Sequence, residues 1–577
     1  MADNWRTYSV LFQGGLITNL APYQQGQQAP GSARILRNFE PSVFGGYRRV
    51  EGYSKFDTAA IPNVTADVDG AVTASTTLTV DNKVGTLSVG MVVNGTGITG
   101  VVKISAITSQ TSGAATVTLD TTQTIADGTS ITFNKIIRGI VRYDGKVFAC
   151  EDNDVYFSTG SGWTKITDNA TYNSSGVTVG GTGKVRFLKY DFDGTEKFIL
   201  VDSTGKPYRF DGTTFEQLSA LSSDTSGSSF AVKFKDHLVF ANDKKLIFTA
   251  PFEDDDDSIT NGGLLINVTD TITGLIVFRE QLVIFSENSI NIIRGSSVGD
   301  FVKQPVSRDL GCIAADTIQE IGGDIIFLGP DGLRLFSATD RIGDFSLASV
   351  SKPIQTETLD LISTSPDGFN STVIREKSQY RIFGYNEAFQ DDAAKAIAGT
   401  QLEEGIQWND MRGINAFCTF SEYDGSLERI YFGNINGYVY QMESGNTFDG
   451  ENIIATFATP FFPLEDSEVR KTIYKGTTYL DVNGDFDLEF SMKFDFDQPD
   501  SVQPDSVLSS DSSVSVTYGT GIYGTSIFGN KQKAIYEVQT IGSGFTVSML
   551  YETTGENTDA VFSVDAATLE YAINDRR

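Results

Sequence analysis

From about Ile137 the chain repeats one pattern: an apolar run, a polar turn, a second apolar run. GIVRYDGKVFACEDNDVYFSTGSGWTKI (139–166) reads as strand, turn, strand, turn, strand, turn and short strand. Its turns fall at Asp144-Gly145, at 152–154 and at 160–162. The same order returns in 185–218, 230–252, 275–296 and 318–339, more divergently around 371–386, and again in 416–442. β-Branched and aromatic residues dominate the runs, as in 283–285 and 325–328. The spacing of about 45 residues is that of a four-stranded propeller blade. A single blade cannot bury both faces, so such units stack around an axis. The pattern therefore predicts an all-β chain built on a β-propeller of about six to eight blades. The competing reading is a row of unrelated β-sandwiches.

Three segments depart from the repeat. Residues 64–136 are rich in Thr, Ser, Val and Gly and poor in charge, with alternating strands and Gly turns. They predict an inserted small β-sandwich or barrel. AFQDDAAKAIAGTQLEEG (388–405) has the Ala, Gln and Glu content of a short helix or mobile loop. Beyond about Ile454, TIYKGTTYLDVNGDFDLEFSMKFDFD (472–497) alternates strictly, and DQPDSVQPDSVLSSDSSVS (497–515) reads as a long exposed loop. Strand-like sequence then resumes, which predicts a C-terminal β-sandwich. The resulting division is 1–63, an N-terminal arm and first propeller strands; 64–136, the insertion; 137–455, the propeller; and 456–577, the C-terminal sandwich.

Composition agrees with a packed β protein. Of 577 residues 40% are hydrophobic and 20% charged, with 57 Gly and 40 Phe, and helix-type Leu or Ala periodicity is absent. The formal net charge of −30 repels phosphate, so an exterior that wraps nucleic acid is excluded. An acidic passage through which DNA slides without sticking is compatible with it. Cys150, Cys312 and Cys418 are scattered on apolar strands, which predicts small buried hydrophobes rather than a disulfide framework or zinc site. The start, MADNWRTYSVLFQGG, lacks the apolar core of a signal peptide, and no apolar run approaches the ~20 residues of a membrane helix. Synthesis in a reducing cytoplasm is the expectation.

Little in the sequence carries chemistry. The single histidine, His237, stands at a turn into a strand, with no partners for a triad or metal set around it. GGTGKV (180–185) lacks the first Gly and the Ser or Thr of a phosphate loop, and a strand follows it. DVNGDFD (481–487) spaces its carboxylates like a calcium loop but lacks the central Gly and final Glu; a hairpin at Asn483-Gly484 accounts for it. STGSGW (158–163) is similar to the turn motif of sialidase propellers, with Gly160 where that motif has Asp. Glu253, Asp254, Asp255, Asp256 and Asp257 form a carboxylate block, read as a solvated loop or, more sharply, as an acidic channel lining or calcium site. No catalytic, cofactor-binding or metal residue is assigned, and no cofactor is expected.

One stretch runs against the acidic background. LRNFEPSVFGGYRRVEGY (36–53) sets aromatic rings, a Gly-Gly pair and three arginines together. It resembles the N-terminal signature of tail nozzle proteins of short-tailed bacteriophages, also called tail hub or packaged-DNA stabilisation proteins. The matching residues are Asn38, Phe39, Pro41, Gly45, Gly46, Arg48, Arg49, Gly52 and Tyr53. Residues 311–339 resemble a mid-propeller segment of such proteins, and 542–577 their C-terminal end. The insertion at 64–136 departs from the simplest family pattern and resembles the decorating β-domains of virion proteins.

The resemblance implies a structural virion protein, located in the tail, that is not an enzyme. Such proteins form a sixfold ring below the portal and adaptor rings, meet tail fibre, spike or needle proteins, retain packaged DNA and conduct it outward without specific binding. Six copies at −30 would sum to −180, an electronegative tube. Arg34, Arg37, Arg48 and Arg49 are then expected to dock protein, with Phe39 and Tyr47 as buried anchors. The alternative for these residues is a closing strand with intramolecular ion pairs. The alternative for the whole chain is a propeller-based receptor-binding or glycan-cleaving tail protein.

Overall fold

The computed structural model describes residues 5–57, 61, 64–167, 169–173, 176–337, 349–365, 368–386, 393–482, 486–498, 503–511, 532–539, 542–553 and 561–574. The chain is all-β, with short helices such as Pro22–Gln28 and Gln355–Thr364. Six small sheets of three or four strands stand as separate blades. Five begin with Ile137–Tyr143, Arg186–Tyr190, Phe230–Phe234, Ile272–Phe278 and Gln319–Ile321, and the sixth with Cys418–Asp424. A further place in the circle, between the fifth of these and Cys418–Asp424, is held by the antiparallel run Phe369–Ile374, Gln379–Gly384, Lys395–Leu402 and Gly405–Arg412. Below, blades are counted in this order, so that the run from Phe369 is the sixth and that from Cys418 the seventh. Innermost strands pack against their neighbours, and the last closes on the first.

The second strand of each blade is buried from both sides. Phe148–Cys150, Phe198–Leu200, Leu238–Phe240, Leu282–Phe285 and Ile325–Leu328 are all at or near zero exposure. Neighbouring blades cover both faces of these strands, so the apolar runs are continuous instead of alternating. Hairpin turns follow the sequence signals: Asp144 and Gly145 both take positive φ (47° and 71°), as a tight Asp-Gly turn requires. Close approach of blades also selects glycine. A Cβ on Gly139 would lie 2.3 Å from the Val185 carbonyl oxygen.

The insertion folds as a closed six-stranded barrel, Val64–Val68 to Ser130–Asn134, with its own core around Leu78, Val93, Val117 and Phe133. It is thus a barrel rather than a two-sheet sandwich, because Val102–Gln110 pairs with Ala115–Ile125 and seals the edge.

The C-terminal sandwich is built from both ends of the chain. One sheet orders Phe39–Pro41, Tyr47–Arg49, Phe562–Ile573, Lys471–Val482 and Gln532–Val538, with Trp5–Leu11 also paired to Phe562–Ile573. The facing strands Thr456–Ala458, Val547–Thr553, Phe486–Phe494 and Val507–Asp511 continue the sixth blade's sheet through Ile35–Arg37, giving nine strands in all. One hydrophobic core therefore runs from Leu333, Tyr380 and Trp408 in the propeller to Phe457, Tyr551 and Tyr571 in the sandwich.

Several expectations are corrected. Among the described residues of 1–63, Tyr53–Lys55 is the outer strand of the seventh blade and Ile35–Arg37 extends the sixth blade's sheet, while the other strands belong to the sandwich. Described residues of 388–405 are strand, not helix: Ala396 and Ala398 are buried and Gly399 packs on Trp408, which rewards extended pairing over helix propensity. Lys471–Val482 and Phe486–Phe494 lie in opposite sheets; the hairpin expected at Asn483-Gly484 falls on 483–485, outside the described residues. Within 497–515, Val507–Asp511 is a strand.

Candidate functional site

The hook at 36–53 is an internal clamp. Asn38 takes a left-handed backbone (φ 53°), which lets its side chain accept from Arg412 N and donate to the Ile454 carbonyl at 2.9 Å each. Phe39 and Tyr47 are fully buried against Phe457, with ring centroids 5.4 and 5.5 Å away. Each such burial contributes about 1.5–3 kcal/mol. Tyr47 Oη donates to the Gly31 carbonyl at 2.8 Å. Arg49 is also fully buried and donates to the Asn446 carbonyl. Gly52 is required because a Cβ there would lie 2.0 Å from the Thr447 carbonyl oxygen.

Phe39, Tyr47 and Arg49 thus anchor the hook inside the chain and present no surface to a partner. Arg34, Arg37 and Arg48 are partly exposed, but each has an intramolecular contact: Arg34 with the Phe461 ring, Arg37 with Asp410 at 3.1 Å, and Arg48 with Glu51. The exposed element is the intervening turn, where Phe44 is 96% exposed.

Beneath the hook lies a buried charge cluster that the sequence did not signal. Lys377 reaches Glu40 at 2.7 Å and also pairs with Glu443; Arg381 reaches Glu40 at 3.0 Å and Glu443 at 2.7 Å. Burial opposes ionisation of Glu443, but Arg381 and Lys377 override it and hold the carboxyl down at about 2. Two cations and two anions joined in this way tie the hook to the sixth and seventh blades.

The propeller axis holds a second cluster. A cavity of about 270 Å³ is lined by the inner strands of all the blades, including Gly139, Phe187, Ala231, Gly274, Gln319, Ser371 and Thr419. At its mouth Lys184 reaches Asp316 at 3.0 Å, and Arg186 grips the same carboxylate with two bonds of 2.9 Å. Lys184 also donates to the Phe369 carbonyl, and Arg186 to that of Ser229. Burial would raise the Asp316 carboxyl, but Arg186 and Lys184 outweigh it and hold it well below the usual range. Asp316 is therefore a fixed anion near neutral pH, unsuited to donate a proton. Above this closure an 850 Å³ cleft opens beneath the inserted barrel, lined in part by Met91, Lys103, Lys135 and Asp152. Asp152 is itself paired with Lys135 at 2.5 Å.

The remaining motifs take structural places. GGTGKV forms the loop at the axial mouth: Gly180 N donates to Asp202 and Gly181 has φ 65°, with strand Arg186–Tyr190 following. In the turn at 158–163 a distant carboxylate, Asp57, accepts from Ser158 Oγ at 2.7 Å and Gly162 N at 3.1 Å. His237 is buried, with Nδ1 2.6 Å from the Thr249 carbonyl oxygen. The three cysteines are free and buried. The 253–257 block sits between the two outermost strands of the third blade and does not line the axial cavity. Glu253 is exposed and Asp255 half-buried. Asp254 is buried and bound by Tyr190 and Arg209, while Asp256 and Asp257 accept from Ser258 N and Ser222 N.

No protein-family model matches the chain, and no curated protein does. Among solved structures, the computationally designed Ika8 protein shares 9% identity at a TM-score of 0.32, over 66% of this chain and 98% of that one. A glycoside hydrolase family 43 arabinoxylan arabinofuranohydrolase from Bacillus subtilis, in complex with cellotetraose, shares 10% identity at 0.20, over 77% and 96%. At these scores neither likeness bears on function.

Proposed function

We propose that this chain is a structural tail component of a short-tailed bacteriophage: a nozzle or hub that assembles as a ring, retains packaged DNA and conducts it during ejection. The observation that carries this reading is mechanical. The hook that bears the family resemblance clamps propeller to sandwich through Phe39, Tyr47, Arg49 and the Glu40 cluster. A nine-stranded sheet and one continuous core make the same junction. Such a body resists bending, as the wall of a pressurised conduit must.

The propeller's own axis is not that conduit. A 270 Å³ cavity crossed by Lys184 and Arg186 passes no duplex. DNA would run between copies, past surfaces whose net charge repels phosphate. Native mass spectrometry and negative-stain images of the purified assembly test the proposal. A sixfold ring with an open centre is expected. A stable monomer that degrades a host polysaccharide would overturn it in favour of the glycan-cleaving alternative.

A further inference from the structure

All four parts of the chain meet at one further cleft, of about 660 Å³. That volume is in the range of small-ligand sites, roughly 300–1,000 Å³. The N-terminal segment contributes Lys55, the barrel Asn94 and Asn134, the propeller Arg412, Tyr438 and Ile454, and the sandwich Glu552.

The barrel wall is the telling part. In the pairing of Val92–Gly95 with Ser130–Asn134, Asn94 stands opposite Thr132. Asn134 is two residues beyond Thr132 and so on the same face. Ile131 and Phe133 alternate with them into the barrel core. The three polar residues therefore form one row on the barrel's outer surface, facing the cleft. Asn134 is 1% exposed, yet among the described residues neither its Nδ2 nor its Oδ1 has a hydrogen-bond partner, and Nδ2 of Asn94 lacks one as well. Leaving a buried amide unmatched costs about 1–3 kcal/mol per group, so such a group asks for an explanation.

The rest of the lining narrows the ligand. The Tyr438 ring is partly exposed, with Lys55 Nζ over it at 4.5 Å from the centroid, and Ile454 is 58% exposed, so the wall offers apolar surface beside the amides. The lining carries three cations, Arg37, Lys55 and Arg412, and three carboxylates, Asp449, Glu451 and Glu552, with Asp410 a fourth carboxylate behind it. Arg37 and Arg412 share Asp410, and Lys55 is bound to Asp449 at 3.1 Å. With every cation of the lining already held by a carboxylate, an anionic ligand is not selected, while Glu451 and Glu552 are left to accept from hydroxyl groups. Amides that both donate and accept, next to an aromatic ring, suit a neutral molecule whose hydroxyls also do both and whose C–H faces are apolar.

We infer that this cleft binds a neutral oligosaccharide, held by Asn94 and Asn134 against Tyr438. The site uses no residue of the axial mouth, meets the hook only where Arg37, Asn38 and Tyr53 line its edge, and stands whether or not the chain forms a ring.

The test is saturation-transfer NMR and calorimetric titration of the full chain. Probes are neutral tri- to pentasaccharides of glucose, galactose, mannose and N-acetylglucosamine, with a sialylated trisaccharide and inorganic phosphate as charged controls. At least one neutral probe should bind saturably, and Asn134→Ala should weaken it about tenfold or more. Asn94→Ala, at a partly exposed position, should weaken it while leaving the melting temperature unchanged, which covers the case in which the buried variant misfolds. The inference fails if no neutral probe binds at about 10 mM, if binding survives Asn94→Ala at full strength, or if only the charged controls bind.

Discussion

Lys184, leading into the second blade's inner strand, meets Asp316, ahead of the fifth blade's, at 3.0 Å across the propeller axis. With Arg186 it ties the second blade to the third through Ser229, to the fifth through Asp316 and to the sixth through Phe369. The closure of the circle is electrostatic at this mouth as well as apolar between the blades.

Asp316→Asn should therefore leave two cations facing an amide and lower stability by about 3 kcal/mol. Because the carboxyl's folded pKa is depressed, its contribution is complete above the usual carboxylate pKa and is lost only as pH falls through the folded value. Denaturant unfolding of both proteins at pH 7 checks this; identical midpoints would remove the bolt from the account.

Glu151 behaves in the opposite sense. It is buried beside the junction of barrel and propeller, and burial raises its carboxyl to about 8 despite Lys135 nearby. The folded state then holds a proton that the unfolded state releases, so this group makes stability fall as pH rises from about 4.5 to 8. Glu151→Gln should flatten that part of the stability profile and raise the melting temperature at pH 8.5. A profile unchanged between wild type and variant would contradict the assignment.

Arg48 and Arg49 should separate sharply. Arg49→Glu buries an unpaired carboxylate in place of a buried cation and should cost at least about 3 kcal/mol, enough to release the hook. Arg48→Glu replaces a partly exposed pair with Glu51, itself worth about 0–1 kcal/mol, by a like-charge contact that water screens, and should cost far less than the buried substitution. Thermal melts of the two variants decide the point. Assembly defects in Arg49→Glu would then report unfolding, whereas a defect in Phe44→Ala with a normal melt would report docking.

Gly139→Val tests how closely the blades must approach. Its Cβ would fall 2.3 Å from the Val185 carbonyl oxygen, which only backbone displacement can relieve. A loss of more than about 2 kcal/mol is expected; limited proteolysis would then show earlier cutting near 176–185. A neutral result would mean that the first two blades can part without cost.

The seven repeats were legible because each blade meets the same environment. Neighbours on both faces demand apolar second strands, and the hairpins between them fall at polar turns, some with glycine, as at Asp144-Gly145 and Gly322-Gly323, others without, as at Lys235-Asp236 and Arg279-Glu280. The buried cysteines were legible for the same local reason. The hook's residues were visible, but their role was not: an arginine flanked by aromatics reads alike whether it serves a partner or, as Arg49 does, a carbonyl at Asn446.

What the sequence alone determined, then, is the unit: its period, its turns and its apolar strands, all set by contacts within about 45 residues. Tertiary structure alone decided how the units are joined. Strand or helix at Lys395–Leu402 was settled by Trp408 and the strands beside it, not by alanine's preference. The closing strand Tyr53–Lys55, the sandwich's first strands and the pairs Lys184–Asp316 and Glu40–Arg381 unite residues more than a hundred positions apart. A charge's identity is written in the chain, but its partner is set by the path that brings the two together, and burial then decides what the pair is worth.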